Sequence, residues 1–206
     1  MDTHGYSTRQ QILATATSEF QEKGFRDASL RAIAKKAGVT TGSVYWHFPS
    51  KDALFDALVG QEYQHLLQMY DDAPASFWNK TGQKQEKHIG DIGSECMLAM
   101  VDYMYQHQTS CKLLFCAASG TPYENLIHEL TLREIASNRQ FAEHLRQTGH
   151  PMPHKVEPEL EHSIISGMFE ALCEFVVHAI PKETAMRCAR QLYLFYSAGW
   201  RALMGI

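Results

Sequence analysis

The chain has 206 residues, enough to bury a sizeable core, and its 45% hydrophobic and 20% charged content is typical of a globular protein. No apolar run approaches the roughly 18 residues that a membrane span needs. The polar amino terminus also lacks the hydrophobic stretch of a signal peptide, so we expect a cytoplasmic protein without membrane contact. The net charge of −4 excludes a chain that is basic throughout.

The charge is distributed unevenly along the chain. Residues 1–51 contain seven Lys and Arg against four Asp and Glu, a net charge of +3, so the remainder carries −7. A basic segment on an acidic body is expected when only one end of a protein meets phosphate groups. This pattern favours a nucleic-acid-binding amino terminus.

The predicted elements are all helical, because no segment combines sustained alternation with a period of two and enrichment in β-branched residues. The first helix is stopped by Gly24, Ser29 caps the second, and Gly38 closes it. The third ends before Pro49, and Ser50 caps a long fourth helix. The predicted bounds are about 7–23, 30–37, 41–48 and 51–70.

The second half of the chain begins with a polar stretch, 71–93, which we interpret as a linker or a partly ordered segment. Further helices are predicted at about 94–107, 110–118, 122–147, 158–179 and 182–204. The last two are apolar on more than one face, which indicates burial on two sides. One side can pack within its own domain and the other on a partner subunit. The alternative is a position at the centre of a larger bundle.

Chemistry is concentrated in the sequence LRAIAKKAGVTTGSVYWHFPSK, which starts at Leu30. Two short helices joined by a glycine-containing turn predict a helix-turn-helix. Small residues at the start of its second helix permit close approach to base edges in a groove ~12 Å wide. Lys51 adds a cation in the first turn of the following helix. The residues of the tip are Thr40, Thr41, Gly42 and Ser43, and Tyr45 and His47 are expected to project outward beside it.

The stretch GVTTGSVYWHFPSKDALFDAL resembles the recognition-helix region of the TetR family of bacterial transcriptional regulators. The preceding FQEKGF and SLRAIA segments resemble the same family, so the likeness covers about residues 9–60. The resemblance implies an all-α fold with two domains. A three-helix helix-turn-helix DNA-binding domain would occupy 1–51 and continue into a connecting helix, about 51–70. A helical-bundle domain for ligand binding and dimerisation would occupy 71–206.

The resemblance also implies roles for individual residues at the DNA. Phosphate contacts are implied for Ser29, Ser43, Tyr45, His47 and Lys51, and base-edge contacts for Arg31, Thr41 and Gly42, with Trp46 partly packed and partly facing the groove. Three alternatives stay open: Tyr45 packed in the core, His47 as a structural or capping histidine, and Arg31 as a merely solvated charge.

The carboxyl-terminal domain is rich in methionine, aromatic and cysteine side chains, which suit a pocket for an aromatic or amphipathic ligand. The alternative for each of them is ordinary core packing. The candidate ligand-binding residues are Met100, Tyr103, Met104, His107, Phe115, His128, Phe169 and Cys173. The expected partners are therefore a double-stranded DNA operator, a second copy bound through the last two helices, and a small-molecule effector. Repression, with release by the effector, is what the resemblance implies.

Other functional classes find less support. No hydrolase, metalloprotease, nucleotide-binding-loop or dinucleotide-binding motif is present, so we expect neither an enzyme nor a cofactor. Five cysteines without a C-x-x-C pair predict reduced, buried thiols. Minority alternatives are metal binding near His144, His150 and His154, a redox sensor using Cys111 and Cys116, and a non-specific DNA coater.

Overall fold

The computed structural model describes residues 3–78, 85–147 and 154–205, and the regular elements of these residues are all helices, which confirms the all-α prediction. A short 3-10 turn, Pro122–Asn125, precedes the seventh α-helix. The α-helices are α1 (Thr3–Asp27), α2 (Leu30–Lys36), α3 (Thr41–His47), α4 (Lys51–Trp78), α5 (Gln85–Gln106), α6 (Gln108–Cys116), α7 (Leu126–Gln147), α8 (Pro158–Val177) and α9 (Lys182–Met204).

The chain folds into two compact units. The first consists of Met1–His65 and His107–Glu124, and the second of Leu66–Gln106 and Asn125–Ile206. Segment 107–124 thus belongs to the unit that contains the helix-turn-helix, and its predicted place in the carboxyl-terminal domain was wrong.

The core of the first unit is built on the apolar face of α1. Ile12, Ala16 and Phe20 are fully buried at the spacing of one helical face. The Phe20 ring lies 5.0 Å from that of Phe55 on α4, edge to face. At the end of α1, the Phe25 amide donates a 2.9 Å hydrogen bond to the carbonyl of Ala117, which attaches the segment after α6 to the same core.

Several predicted helix boundaries match the structure because they depend on local capping chemistry. Gly24 interrupts α1 with a φ of 72°, and Gly38 closes the turn after α2 with a φ of 68°. The hydroxyl of Ser50 accepts a 3.0 Å hydrogen bond from the Ala53 amide at the start of α4. The first helix begins earlier than predicted, at Thr3, and is assigned on past Gly24 to Asp27.

The linker prediction for 71–93 was wrong in both of its described parts. Helix α4 continues through Pro74 to Trp78, and α5 already begins at Gln85. Gln, Glu and Lys are good helix formers, so a polar composition alone does not predict a loop. Residues 79–84 lie outside the described part of the chain.

In the second unit, α5 packs on α9, α7 packs on α8, and α8 contacts both α5 and α9. The Tyr105 hydroxyl lies 2.5 Å from the carbonyl oxygen of Ile180, in the turn between α8 and α9, and 2.9 Å from that of Phe175, near the end of α8. An ion pair of 2.6 Å joins Lys182 to Asp102 and ties the start of α9 to α5. Buried apolar side chains fill the unit, among them Met100, Val101, Leu130, Ile165, Phe169, Leu172, Val176 and Ala189.

Candidate nucleic-acid interface

The candidate interface is built on α2, the turn after it, and α3. Ser29 caps α2, with its hydroxyl 3.5 Å from the Ala32 amide. The hydroxyl of Thr40 accepts a 3.1 Å hydrogen bond from the Ser43 amide and so caps α3. Side-chain caps at both helix starts, together with a left-handed Gly38 between them, produce the turn that the sequence predicts.

Helix α3 has one buried face and one exposed aromatic face. Val44 is fully buried, and Phe48, which caps the helix end, is 3% exposed. Tyr45 and Trp46 are 52% and 79% exposed, so Tyr45 is not packed in the core. Trp46 faces mainly solvent and contacts the His47 ring. Both aromatic side chains are thus presented to solvent on the helix that would read DNA.

The small-residue tip of α3 lies at the surface. Thr40 and Gly42 are exposed, while Thr41 and Ser43 are half-buried. A Cβ atom added at Gly42 would meet only the Thr40 hydroxyl, at an ordinary 3.7 Å. The fold itself therefore does not require glycine at this position, and the missing side chain leaves room for a partner outside the protein.

The structure brings part of the predicted contact set, namely Ser29, Arg31, Thr41, Tyr45 and Lys51, together around one surface depression. Arg31 is exposed beside this depression. His47 is half-buried, with its ring centroid 4.6 Å from that of Trp46 in an edge-to-face arrangement. The depression is lined by Ser29, Leu30, Arg31, Thr41, Tyr45 and Lys51.

Lys51 is engaged inside the protein. Its ammonium group lies 2.7 Å from the carbonyl oxygen of Phe25, 3.0 Å from that of Arg26 and 3.2 Å from that of Ala28. It also sits 4.6 Å from the centroid of the Phe25 ring. An ammonium group has three hydrogen-bond donors, and these carbonyls use all three. We therefore assign Lys51 to the end of α1 rather than to DNA phosphate.

A buried carboxylate that the sequence analysis did not single out ties α1 to α2. Glu19 is fully buried, and its two oxygens each lie 2.8 Å from an ammonium group, one from Lys23 and the other from Lys36. These hydrogen bonds, first that of Lys23 and then that of Lys36, lower the pKa of Glu19 to about 2 against the opposing effect of burial. The available signal was its position seven residues after Ile12, on the apolar face of α1.

The predicted ligand-binding residues do not form one cluster. His107 and Phe115 belong to the first unit, and His107 lies 3.3 Å from a carboxylate oxygen of Glu62. The other six belong to the second unit, where His128 is exposed on α7 and Tyr103 is half-buried on α5. The remaining four are buried among the packed helices: Met100, Met104, Phe169 and Cys173.

Titratable side chains meet where α7 packs on α8 in the second unit. The rings of His128 and His162 lie 5.6 Å apart between centroids. Partial burial raises the pKa of Glu134 to about 7, and the nearby carboxylate of Glu161 acts in the same direction. Sequence periodicity cannot show such a pairing, because the two helices are separated along the chain.

The cysteine and histidine side chains bear on the redox and metal-binding alternatives. None of the five cysteines, which all lie in the described part of the chain, forms a disulfide. Cys116 is exposed, which contradicts the prediction that all of them are buried. Burial raises the pKa of Cys111 to about 12, which disfavours the reactive thiolate. Among the described side chains, no group of three potential ligands could hold a metal ion. His150 and the side chain of His144 lie outside the described part of the chain.

No described helix is long and apolar enough to cross a membrane.

Comparisons with known proteins identify the family. Residues 12–58 match the family described as bacterial regulatory proteins, tetR family. The chain is 40% identical over 67 residues to the HTH-type transcriptional regulator UidR of Escherichia coli, a match that covers 32% of this chain and only 34% of UidR. It is 31% identical over 144 residues to the uncharacterized HTH-type regulator TtgW of Pseudomonas putida, covering 68% of this chain and 92% of TtgW.

Solved structures share the fold over nearly the whole chain. A putative tetR family regulator from Shewanella superposes with a TM-score of 0.52 and 22% identity, covering 95% of this chain and 97% of that one. PfmR, a TetR family regulator from Thermus thermophilus, gives a TM-score of 0.53 and 16% identity over 90% and 96% of the two chains. The family match at the helix-turn-helix and the near-complete coverage of TtgW together show that the chain belongs to the TetR family of bacterial regulatory proteins.

Proposed function

We propose that the protein is a DNA-binding transcriptional regulator that reads a palindromic operator as a homodimer. The observation that carries this proposal is the outward face of α3. Tyr45 and Trp46 are exposed there beside a tip of small residues, in a segment with a net charge of +3. Two adjacent exposed aromatic side chains form an apolar surface patch, and such patches mark sites where a partner binds.

In this proposal α3 enters the major groove with its amino-terminal tip facing the bases. Thr41 and Gly42 approach base edges, and the exposed Trp46 adds apolar contact, for which thymine methyl groups are suitable partners. Arg31 reaches a base edge or phosphate from α2. The remaining residues proposed for phosphate contact are Ser29, Thr40, Ser43, Tyr45 and His47.

A second copy would bind on α8 and α9. On α9, Phe195, Gly199 and Leu203 are spaced by four residues and share one helix face. Phe195 is 73% exposed and Leu203 is 41% exposed, and a Cβ atom added at Gly199 would meet nothing within 4 Å. An apolar stripe with a glycine at its centre allows close packing of an identical helix around a twofold axis. We therefore assign this face to the homodimer.

The second unit would also bind the effector. Its soft, apolar interior favours a small hydrophobic or aromatic molecule. Such a molecule changes DNA binding only if it prefers one conformation of the dimer over the other. Repression, release by the effector and a cytoplasmic site of action are supported by the family resemblance.

The test is selection of duplexes by the purified protein from random DNA, followed by competition of the selected duplex against bulk DNA. The proposal predicts an inverted repeat whose half-sites lie ~34–36 Å apart, preferred over bulk DNA by about 10³ or more. Enrichment of no sequence, or a preference below about tenfold, would indicate a non-specific DNA coater. The double variant Tyr45→Ala, Trp46→Ala tests the role of α3. It should lose the preference for the selected duplex over bulk DNA and keep the thermal melting temperature of the wild type.

A further inference from the structure

Arg9 lies against the end of the recognition helix. Its guanidinium carbon is 5.1 Å from the centroid of the Phe48 ring, a cation–π arrangement. Phe48 is the residue that caps α3, and its amide donates a 2.9 Å hydrogen bond to the carbonyl of Val44. Arg9 itself is exposed. A long cationic side chain from α1 is therefore held beside α3 although the two helices are far apart in sequence.

Three lysines of residues 1–51 bind partners within the protein. Lys23 and Lys36 neutralise the buried Glu19, and Lys51 is bound to the carbonyls at the end of α1. Arg9, by contrast, has no carboxylate within 4.0 Å among the residues that the structure describes with their side chains. Its charge is thus not consumed by a described ion pair, and it is available to an anion outside the protein.

Arg31 and Arg9 lie near opposite ends of α3. Arg31 lines the depression beside Thr41 and Tyr45, which belong to the first and second turns of α3. Arg9 lies at the opposite end of the helix, where the His47 and Phe48 ring centroids are 6.4 Å apart. A helix in the major groove is flanked by two phosphate strands, and cations at its two ends can reach one strand each.

We propose that Arg9 is a phosphate-contacting residue that grips the DNA strand beside the carboxyl-terminal end of α3. The inference rests on the proposed DNA-binding function and adds a contact from α1. The planar guanidinium suits a phosphate because it can donate two parallel hydrogen bonds, and stacking on Phe48 orients it before DNA binds. A phosphate contact strengthens binding to every sequence equally, so Arg9 sets affinity and register rather than base preference.

The experiment measures the dissociation constant of full-length wild type and variants for the selected duplex and for an unrelated duplex, at several salt concentrations. Arg9→Gln is expected to weaken both complexes by about tenfold. Because a dimer carries two copies, it should also make the plot of log affinity against log salt shallower by about 1.8, or about 0.9 for each lost contact. Arg9→Lys, which keeps the charge, should retain most of the wild-type slope.

The matched control is Arg139→Gln, which changes an exposed arginine on α7 in the second unit. It removes the same charge from outside the unit that contains α3 and should leave the slope unchanged. A wild-type slope in Arg9→Gln or a loss confined to the selected duplex would overturn the proposal. An equal loss in Arg139→Gln, or a loss that Arg9→Lys does not reverse, would overturn it as well. A wild-type protein that binds neither duplex would instead overturn the proposed function.

Discussion

The ammonium group of Lys51 lies within 2.7 to 3.2 Å of three carbonyl oxygens at the end of α1. In the sequence this lysine follows the recognition helix and starts the next one, a position that predicts a contact with DNA phosphate. A spacing along the chain cannot show that the carbonyls of Phe25, Arg26 and Ala28 converge on the same point. The structure therefore changes both the role of Lys51 and the experiment that tests it.

Lys51→Met is expected to lower the free energy of unfolding by about 1–3 kcal/mol, because partly buried carbonyl groups lose a charged donor. Urea denaturation monitored by circular dichroism measures the change. The exposed Lys35→Met on α2 is the control and should change stability by less than about 0.5 kcal/mol. Unchanged stability in Lys51→Met, together with a shallower salt dependence of DNA binding, would restore the phosphate role.

Glu19 makes the stability of the first unit depend on pH in the acidic range. Its pKa falls from the ordinary 4.5 to about 2 in the folded protein, since Lys23 and Lys36 favour the charged form. A carboxylate with a lowered pKa stabilises the fold above pH 4.5 and loses that contribution as the pH falls towards 2. Glu19→Gln should therefore be less stable at pH 7, by about 1–2 kcal/mol, because a buried carboxylate loses its ion pairs with two partly exposed lysines.

The measurement is the free energy of unfolding in urea at a series of pH values from 7 to 2.5. Wild type should lose more stability between pH 4.5 and 2.5 than Glu19→Gln does. Glu22→Gln is the control, because Glu22 is 64% exposed and 3.4 Å from Lys36. Parallel pH profiles for wild type and Glu19→Gln would contradict the assignment.

At the scale of the element, local chemistry determined what could be predicted. The caps at Ser29, Ser50 and Gly38 depend on residues within one turn of the helix end, so the sequence was sufficient to locate those ends. Helices α4 and α5 were predicted too short, because a polar composition was taken for a loop. The face of α3 was predicted in outline, but the exposure of Trp46 depends on tertiary packing around it.

The residue Ala179, just after α8, has a strained backbone conformation that a substitution by glycine would relieve. Ala179 has a φ of 50°, and the amides of Ala179 and Ile180 bond back to the carbonyls of Val176 and Phe175, the pattern that usually has glycine at this position. Ala179→Gly should raise the free energy of unfolding by about 0.5–1 kcal/mol, since the relieved strain exceeds the added freedom of the unfolded chain. Ala171→Gly, inside α8, should lower it by about 1 kcal/mol. Thermal or urea unfolding measures the stability of both variants. An Ala179→Gly protein that is less stable than wild type would show that Ala179 is not strained.

At the scale of the whole molecule, the sequence could not predict which segments share a compact unit. Segment 107–124 follows α5 in the chain but packs in the first unit, where the carbonyl of Ala117 accepts a hydrogen bond from Phe25. That long-range contact leaves no periodic signal in either segment. His107 and Phe115 were accordingly assigned to the effector domain although they belong to the unit that contains α3.

The homodimer is tested at the exposed face of α9. Phe195→Glu places a charge on a side chain that would be buried against its copy, so the dimer should dissociate at least a hundredfold more readily. Sedimentation equilibrium over a range of concentrations measures the change, and operator affinity should fall with it. Leu132→Glu on α7, where the leucine is 46% exposed, is the control. A Phe195→Glu protein that stays as dimeric as wild type would place the interface elsewhere.

We infer above all that the exposed face of α3 enters the major groove of a palindromic duplex. Footprinting with dimethyl sulfate tests this inference, because the reagent methylates guanine N7 in the major groove and adenine N3 in the minor groove. We expect protection of guanine N7 in two inverted half-sites about ten base pairs apart, with adenine N3 still reactive. The Tyr45→Ala, Trp46→Ala double variant should lose this protection. Protection of adenine N3 alone, or a pattern that the double variant does not alter, would contradict it.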